Sequence, residues 1–386
     1  MNIIYFTTAI NKNDFKDFIK LWKKPINPSN QNFHDKIIRS LSLTNHIDVI
    51  SIRPFSKKLC SEKYLKSNEK TIGNITYHYL RVPRNKLIRP FSYTSQLKIL
   101  LKKLNLSNTL IMSDTINPHV IRLANKAKKS THLPLIGICT DSPSNISNTS
   151  RSYTMYLLKK SRNLDGYISL TKSLNDLFNK TNKPNIVIEG LVEDYFIKNN
   201  NEITINKPYF FFGGSLLEKY GVYNLIEAFK KLNRLDITLL ISGHHADETR
   251  LLKETSGFDI RYLSLLPVSS VLNYEAYSIA NINPRPFSED LDRYSIPSKT
   301  LEYLSSGRPT ISVKNSKLQK YFSNDAIWIK SNDPLEIKNA LEKVLGMDEN
   351  NRIELGKKAK EKVIGLYSLT SINKKLDLFI NNFKKR

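Results

Sequence analysis

Residues 281–311 bring together the side chains and turns that suit a phosphate-rich ligand. Pro297 and Ser298 begin a predicted helix, because proline suits a first turn and a serine oxygen can accept hydrogen bonds from the N–H groups there. Lys299 and Glu302 follow within about a turn. A lysine at the positive end of a helix dipole makes an anion site, and a carboxylate can accept hydrogen bonds from sugar hydroxyls. The segment therefore predicts a site for phosphate and sugar groups.

A glycine-rich turn offers a second anion-binding element. Gly213 and Gly214 directly follow the apolar run 209–212 and precede a predicted helix. Glycines there let backbone N–H groups approach an anion. Lys219 is placed to hold a diphosphate, although an exposed first-turn lysine is the commoner meaning of that residue type. The segment is neither a Walker motif nor G-x-G-x-x-G, so it predicts a nucleotide site of another kind.

Short apolar runs alternate with helical patterns along the whole chain, which is typical of parallel strands covered by helices. We predict strands near residues 2–7, 47–52, 75–81, 109–112, 134–139, 165–169, 185–188, 209–212, 237–243, 260–263, 279–283, 310–313 and 326–329. We predict helices near residues 32–43, 93–104, 117–129, 151–162, 171–180, 219–232, 298–306, 333–346, 351–366 and 369–383. The pattern indicates an α/β fold built from doubly wound sheets.

A chain of 386 residues exceeds what one hydrophobic core usually serves. The asparagine-rich segment 196–207 reads as a linker, so we predict one domain over 1–200 and a second over 201–386. The last helix is expected to pack back on the first domain. Two Rossmann-like sheets joined in this way are expected to face a central cleft, where ligands of such folds bind.

The net charge is +25, of which residues 1–200 contribute +19 and residues 201–386 contribute +6. The first half is therefore expected to face something anionic, and the options are nucleic acid, an anionic membrane surface or a phosphorylated substrate. A lysine-rich composition with solvated charges is the alternative. Cys60 and Cys139 lie too far apart for a disulfide framework or zinc motif, and the seven histidines lack metal-ligand spacing. We expect no metal, no signal peptide or membrane span, and a cytoplasmic protein, peripheral at the inner face of the membrane if it meets lipid.

Together, three segments resemble a retaining GT-B glycosyltransferase of the large family four type, in its bacterial polysaccharide and glycoconjugate branch. They are Gly-Gly-Ser-Leu-x-x-Lys-Tyr-Gly-Val-x-x-Leu-Ile-Glu-Ala-Phe at 213–229, Ile-Ser-Gly at 241–243, and Asn-Pro-Arg-Pro with Tyr-Ser-Ile-Pro-Ser-Lys-x-x-Glu-Tyr-Leu-x-x-Gly-Arg-Pro within 283–309. The resemblance covers the second domain well and the first only in layout, and it implies that the domain over 1–200 binds the acceptor and the domain over 201–386 binds the donor. It implies transfer of a hexosyl-type sugar, with retention, from a nucleoside diphosphate sugar to a glycan or lipid-linked acceptor.

The resemblance also implies roles for particular positions. Lys219 would neutralise the donor diphosphate, Glu302 would bind the ribose hydroxyls, and the helix start at Ser298 and Lys299 would face the phosphates. The remaining donor-binding positions carried over in this way are Gly213, Gly214, Ser215, Arg285 and Tyr294. Many relatives have arginine at the position of Ser215 and glutamate at that of Tyr294, so the identity of the donor sugar stays open.

Three residues of the first half are predicted from their position at strand exits or helix starts. Asp141 follows the apolar run 135–138, where a carboxylate can orient an acceptor hydroxyl or cap the following turn. Asp114 occupies a similar strand exit. Asn32 lies at the start of a helix, where it either lines the acceptor site or caps that helix.

Three other functions compete with a transferase. A nucleic-acid-binding protein would explain the charge of +25, but the sequence has no recognisable basic helix, zinc module or aromatic RNA motif. A non-catalytic GT-B partner subunit would explain Ser215 and Tyr294. A sugar-nucleotide epimerase shares the expected architecture.

Overall fold

The alternation of apolar runs and helical segments folds into two separate parallel sheets. A computed structural model describes residues 1–23, 29–145, 150–194, 205–245 and 247–383. The chain divides into two units, the first comprising Met1–Leu191 with Leu369–Arg386 and the second Val192–Ser368. The predicted linker 196–207 and the predicted boundary at residue 200 lie mostly outside the described residues.

The first unit contains an eight-stranded sheet. Its strands are β1 (Asn2–Thr7), β2 (His46–Ser51), β3 (Asn68–Ile72), β4 (Ile75–Tyr79), β5 (Thr109–Asp114), β6 (Leu135–Cys139), β7 (Gly166–Ser169) and β8 (Asn185–Val187). They are arranged in the order β3-β4-β2-β1-β5-β6-β7-β8, and neighbours are parallel except in the β3–β4 hairpin. The central strands are apolar and fully buried, as expected for strands covered on both faces.

The described part of this unit contains seven α-helices. They are α1 (Lys12–Lys20), α2 (Ser29–Leu41), α3 (Arg89–Leu101), α4 (Pro118–Thr131), α5 (Arg151–Lys160), α6 (Lys172–Phe178) and α15 (Leu369–Asn381). The last helix packs on α2, where Ser40 Oγ donates to Leu369 O at 2.7 Å and Asn373 Nδ2 donates to Ser40 O at 2.8 Å. The carboxy-terminal helix therefore belongs to the first unit.

The second unit contains a six-stranded, fully parallel sheet. Its strands are β9 (Tyr209–Gly213), β10 (Thr238–Ser242), β11 (Ile260–Tyr262), β12 (Ala280–Asn283), β13 (Thr310–Val313) and β14 (Ile327–Ile329), in the order β11-β10-β9-β12-β13-β14. Its helices are α7 (Val222–Leu232), α8 (Glu248–Thr255), α9 (Val268–Tyr277), α10 (Glu289–Tyr294), α11 (Ser298–Ser305), α12 (Ser316–Phe322), α13 (Pro334–Leu345) and α14 (Glu349–Tyr367).

The predicted α/β class with two Rossmann-like domains is confirmed. The helix predicted from residue 219 begins instead at Val222, because Gly221 takes a left-handed φ of 82° and separates it from a 3₁₀ turn at Glu218–Tyr220. Among the described residues, no helix combines the length and the apolar character needed to cross a bilayer.

Candidate functional site

The carboxyl end of strand β9 lies at the centre of the second sheet, and its turn is shaped by glycines. Gly214 N–H donates to Ser242 O at 2.9 Å, which joins the exits of β9 and β10. A side-chain carbon on Gly243 would lie only 1.6 Å from Gly214 O, and Gly243 has a φ of 146°. Only glycine tolerates this approach and this backbone conformation. The predicted glycine-rich turn is therefore held rigidly at the edge of the sheet.

A second close approach positions the cations of the neighbouring strand exit. A side-chain carbon on Gly221 would lie 2.1 Å from Pro284 O, so the start of α7 packs directly on the residue that follows β12. The ring of Tyr220 then lies beside two cations, with Lys219 Nζ and Arg285 Cζ each 5.3 Å from its centroid. Cation–π contacts of this kind favour a fixed position for both charges. Lys219 is exposed to solvent and Arg285 is half-buried.

Helix α11 is attached to the glycine turn through Tyr303. The buried hydroxyl of Tyr303 donates to Gly213 O at 3.1 Å and accepts from Gly213 N–H at 3.0 Å. Burial raises the pKa of Tyr303, so its hydroxyl stays protonated. The helix thereby places Lys299 alongside the turn, since a side-chain carbon on Gly214 would lie 3.9 Å from Lys299 Cε. The sequence predicted both elements, and the structure shows that they are adjacent.

Lys299 lies between two carboxylates. Its Nζ is 2.9 Å from Glu302 Oε2 and 3.8 Å from Glu275 Oε1. Burial alone would lower the pKa of Lys299, but Glu302 and then Glu275 outweigh it and raise that pKa above its ordinary value. The side chains of Lys299 and Glu302 are 35% and 25% exposed, whereas Glu275 is fully buried. The ammonium is therefore charged at neutral pH and reachable from solvent.

Sequence reasoning missed Glu275. It lies on α9, where the sequence analysis predicts no helix, and its burial is evident only from the fold. An acidic residue is almost never fully buried unless a partner accompanies it.

Two details of the predicted helix start are different in the structure. Ser298 was expected to cap α11, but Pro297 is the capping residue, no side chain caps the helix, and Ser298 is its first residue. The hydroxyl of Ser298 is therefore exposed rather than engaged with its own helix. Tyr294, where many relatives of the resembled family have glutamate, is half-buried with Arg293 Cζ 5.2 Å from its ring.

A small cavity opens at the carboxyl ends of β12 and β13. Its lining includes Arg285, Pro297 and Lys314. Asp292, which also lines it, is committed to α12, because its carboxylate accepts from Ser316 N–H at 2.8 Å and from Ser316 Oγ at 2.5 Å. The cavity is accordingly lined by cations whose charge Asp292 only partly offsets. Ser215 is half-buried in the turn after β9 and adds no charge.

Asp114 ends strand β5 in the first unit and is fully buried there. Its Oδ1 accepts from Ile116 N–H at 2.8 Å, and its Oδ2 accepts from Asn30 Nδ2 at 3.2 Å. His34 Nε2 lies 3.5 Å from that second oxygen, and His34 Nδ1 is hydrogen-bonded to Tyr5 Oη at 2.7 Å. Burial lowers the pKa of His34, although Asp114 opposes this, so the imidazole is neutral at pH 7.

The other two predicted residues of the first unit lie nearer the surface. Asp141 Oδ1 accepts from Ser142 N–H at 2.8 Å, so the turn-capping alternative for this carboxylate is present in the structure. Asn32 is exposed on α2. Asn30 connects two strand exits, since its Nδ2 donates to Asp114 Oδ2 at 3.2 Å and its Oδ1 accepts from Thr140 Oγ1 at 3.5 Å. Among the described residues, no group of three or more His, Cys, Asp and Glu side chains could hold a metal ion.

Comparisons with known proteins bear on the second unit and on the fold. Residues 194–362 match the family model for Glycosyl transferases group 1. No curated protein sequence matches the chain. Among solved structures, the chain is similar to sucrose-phosphate synthase from Thermosynechococcus elongatus, with a TM-score of 0.70, 13% identity and 100% of both chains covered.

Two further structures were solved with a nucleotide or a nucleotide sugar. One is described as trehalose-6-phosphate from E. coli bound with UDP-2-fluoro glucose, with a TM-score of 0.68, 12% identity, and 100% of this chain and 99% of that chain covered. The other is Anabaena HepE in complex with UDP, with a TM-score of 0.67, 10% identity, and 99% of this chain and 100% of that chain covered. The similarities establish the GT-B fold, and the family match places a glycosyl transferases group 1 domain over residues 194–362.

Proposed function

We propose that this protein is a retaining glycosyltransferase that moves a hexosyl-type sugar from a nucleoside diphosphate sugar to a glycan or lipid-linked acceptor. The observation that carries the proposal is Lys299, a charged and reachable ammonium held beside the Gly213–Gly214 turn and within 2.9 Å of Glu302. The ammonium and the backbone N–H groups of the turn suit a phosphate, and the carboxylate of Glu302 can accept a hydrogen bond from a ribose hydroxyl. The group 1 domain match over residues 194–362 supports the same reaction class.

In the proposed reaction, the bond between the anomeric carbon and the diphosphate oxygen breaks, and its electron pair goes to the departing diphosphate. Lys299, Lys219 and the N–H groups of the turn would stabilise the negative charge that develops there. Preorganised donors of this kind contribute about 3 to 4 kcal/mol each where they have been removed by mutation. The oxygen of an acceptor hydroxyl would then bond to the anomeric carbon on the same face of the sugar, and its proton would pass to the departing diphosphate oxygen.

Positive side chains would do in this site what a divalent ion does in other transferases. Arg285 and Lys219, both against the ring of Tyr220, extend the cationic surface beyond Lys299. We therefore propose a reaction that needs no metal. Turnover that is unchanged by a chelator would support this part of the proposal, and activity restored only by a divalent cation would overturn it.

Acceptor binding is proposed for the first unit. Asp141 lies after the exit of β6 and Asn32 is exposed on α2, so both can be reached by a hydroxyl-bearing ligand. Asp114 is fully buried, and we propose that it acts through Asn30, which it fixes by a hydrogen bond of 3.2 Å. The surplus of positive charge in residues 1–200 favours an acceptor that carries phosphate, as a lipid-linked glycan does, at the cytoplasmic face of the membrane.

Binding of nucleoside diphosphate sugars is the direct test. We would screen the uridine, guanosine, adenosine and thymidine compounds by thermal shift and measure the affinity of the best ligand by calorimetry. Lys219→Ala and Glu302→Ala should each weaken it at least tenfold, which corresponds to about 1.4 kcal/mol. Lys358→Ala is the matched control, because Lys358 forms an exposed ion pair with Glu354 on α14.

Equal affinity in all four proteins would remove the proposed site. Retention is tested separately, by determining the anomeric configuration of the donor and of the product by nuclear magnetic resonance. A product of opposite configuration would contradict the retaining mechanism while leaving the nucleotide site intact. Nucleotide binding without transfer or hydrolysis would indicate a non-catalytic subunit instead.

A further inference from the structure

The turn before α3 and the outer side of this helix expose large apolar side chains to solvent. Leu87 is 80% exposed, Ile88 51%, Phe91 77% and Ile99 56%. Phe91, Lys98 and Ile99 are exposed on the helix, and exposed Lys102 directly follows its last residue, so that the spacing places all four on one face. We call Leu87, Ile88, Phe91 and Ile99, together with the exposed cations Arg84, Lys86, Lys98 and Lys102, the α3 patch. Exposed apolar clusters of this kind mark interaction sites more often than isolated residues do.

The α3 patch lies on a firmly attached element. Arg89, at the start of the helix, is buried, with its Nε donating to Pro83 O at 2.8 Å and its guanidinium 5.1 Å from the ring of Phe55. Gln96 Oε1 accepts from Arg81 N–H at 2.7 Å. The exposed apolar side chains are therefore held outward by the packing of their neighbours, and do not result from a frayed end.

The stretch of sequence that contains the patch is strongly positive. Between Lys70 and Arg162 the sequence contains only two acidic residues, Asp114 and Asp141, and Asp114 is fully buried. On the adjacent helix α4, Lys126 Nζ donates to Thr94 Oγ1 of α3 at 2.7 Å. Burial, then the neighbouring cations Arg122 and Lys98, lower the pKa of Lys126. An apolar cluster surrounded by positive charge is complementary to a partner with an anionic outer layer and an apolar interior.

We propose that the α3 patch docks this protein on a lipid bilayer containing anionic headgroups. Leu87, Ile88 and Phe91 would enter the boundary between headgroups and acyl chains, while Lys86, Lys98 and Lys102 would meet lipid phosphates. Amphipathic surfaces bind membranes through this combination of buried apolar area and attraction to anionic lipid. Three of the four apolar residues are aliphatic, whereas single-stranded nucleic acid is bound through aromatic side chains that stack on bases. The proposal stands apart from the nucleotide site, which lies in the second unit.

The experiment is cosedimentation of the full chain with vesicles of phosphatidylcholine, with and without phosphatidylglycerol. The protein should bind the mixed vesicles and not the neutral ones. L87Q/F91Q should lower the partition coefficient at least tenfold. K98Q/K102Q should lower it about tenfold, because each basic residue near an anionic surface contributes appreciably to binding. Raising the salt concentration from about 0.1 M to 1 M should weaken vesicle binding by the wild type, and it should weaken binding by K98Q/K102Q less.

Matched controls distinguish the patch from general stickiness. L235Q removes a leucine that is 82% exposed beside Asp236, and K253Q/K357Q removes two exposed lysines of the second unit. Both should bind the mixed vesicles like the wild type. All variants change exposed side chains, so thermal unfolding and nucleotide affinity should stay unchanged.

Several outcomes would overturn the proposal. Equal binding to neutral and mixed vesicles would do so, as would wild-type binding by L87Q/F91Q. A protein that binds RNA in preference to vesicles, with K98Q/K102Q impaired and L87Q/F91Q unaffected, would assign the patch to nucleic acid instead.

Discussion

Near the carboxyl end of one strand in each unit, a carboxylate lies beside a basic side chain, and the two pairs differ in their exposure to solvent. In the second unit, Lys299 and Glu302 form an ion pair that is about a third exposed. In the first unit, Asp114 and His34 are fully buried, and burial keeps the pKa of the imidazole low. The carboxyl ends of parallel strands thus carry a solvent-exposed ion pair in the second unit and a buried pair in the first.

The difference shows that position at a strand exit does not by itself identify a ligand contact. The two carboxylate oxygens of Asp114 accept hydrogen bonds from Ile116 N–H and from Asn30, so this carboxylate mainly fixes the local structure. Lys299 is held by carboxylates that leave its ammonium reachable. A side chain at such an edge is available for binding when its neighbours hold it without enclosing it.

The largest expected effect comes from disrupting the glycine turn that follows β9 in the second unit. Gly243→Ala should lower the free energy of unfolding by about 3 kcal/mol or more, because a new carbon would overlap Gly214 O and the backbone is left-handed. Gly257→Ala is the control, since Gly257 also has a positive φ, of 80°, but nothing lies within 4 Å of a carbon built there. It should cost only about 1 kcal/mol. Denaturant unfolding of both variants measures the difference, and equal losses would show that the close approach does not matter.

The next effect separates binding from structure. Lys299→Met should weaken the nucleotide sugar about a hundredfold, or 2.7 kcal/mol, because the diphosphate loses its nearest proposed cation. His34→Leu should leave the affinity within about twofold if the buried exit of the first unit serves only structure. Calorimetric titration of both variants makes the comparison. A large loss of affinity in His34→Leu would show that the two regions are not distinct in role.

The buried exit should instead determine stability. His34→Leu removes the partner of Tyr5 Oη and of Asp114 at a site without solvent, so it should lower the free energy of unfolding by about 2 kcal/mol. His244→Gln, at an exposed histidine, should change it by less than about 0.5 kcal/mol. Denaturant titrations at pH 8 make the comparison, because the lowered pKa of His34 keeps this imidazole neutral there in the folded protein. Similar values for the two variants would contradict the structural role.

The smallest effect is a pH dependence within the first unit. Burial would lower the pKa of His78, but Asp48 and then Glu69 outweigh it and raise that pKa above 6.5. His78 therefore contributes stability that is complete below about pH 6.5 and is lost as the pH rises through its folded value. For His34 the lowered pKa has the opposite consequence, since stability is lost as the pH falls below 6.5.

The two histidines can be told apart by unfolding between about pH 5 and 8. His78→Gln should lose more stability at the acidic end than at the basic end of this range. A difference from wild type that does not vary with pH would show that folding leaves the pKa of His78 unchanged.

The sequence was sufficient for the parts of the fold that carry strong local patterns. Apolar runs such as 209–212 became buried strands, and the glycine turn with the helix start at 298 lies where their residue types predicted. Strand β3 was missed because its residues Asn68–Ile72 are mostly exposed and pair only at the sheet edge. Helix α1 was missed because its composition is polar, and only Phe18 is buried.

The residues of the candidate site were proposed one by one from the sequence, but their contacts were not. Lys299, Glu302 and Lys219 were predicted site residues, whereas the approach of Glu275 to Lys299 joins α9 to α11 and depends on how the two helices pack. No periodicity encodes such a contact. The capping residue of α11 was mispredicted because serine and proline both favour a helix start. In the structure the helix is capped by Pro297, one residue before the predicted Ser298.

The two carboxylates around Lys299 have a consequence for the heat of ligand binding. Because Glu302 and Glu275 hold the pKa of Lys299 above its usual range, the ammonium keeps its proton whether the site is empty or filled. A nucleotide sugar that displaces Glu302 from it would leave Glu275 as counterion. The calorimetric enthalpy should therefore be nearly the same in buffers of different ionisation enthalpy.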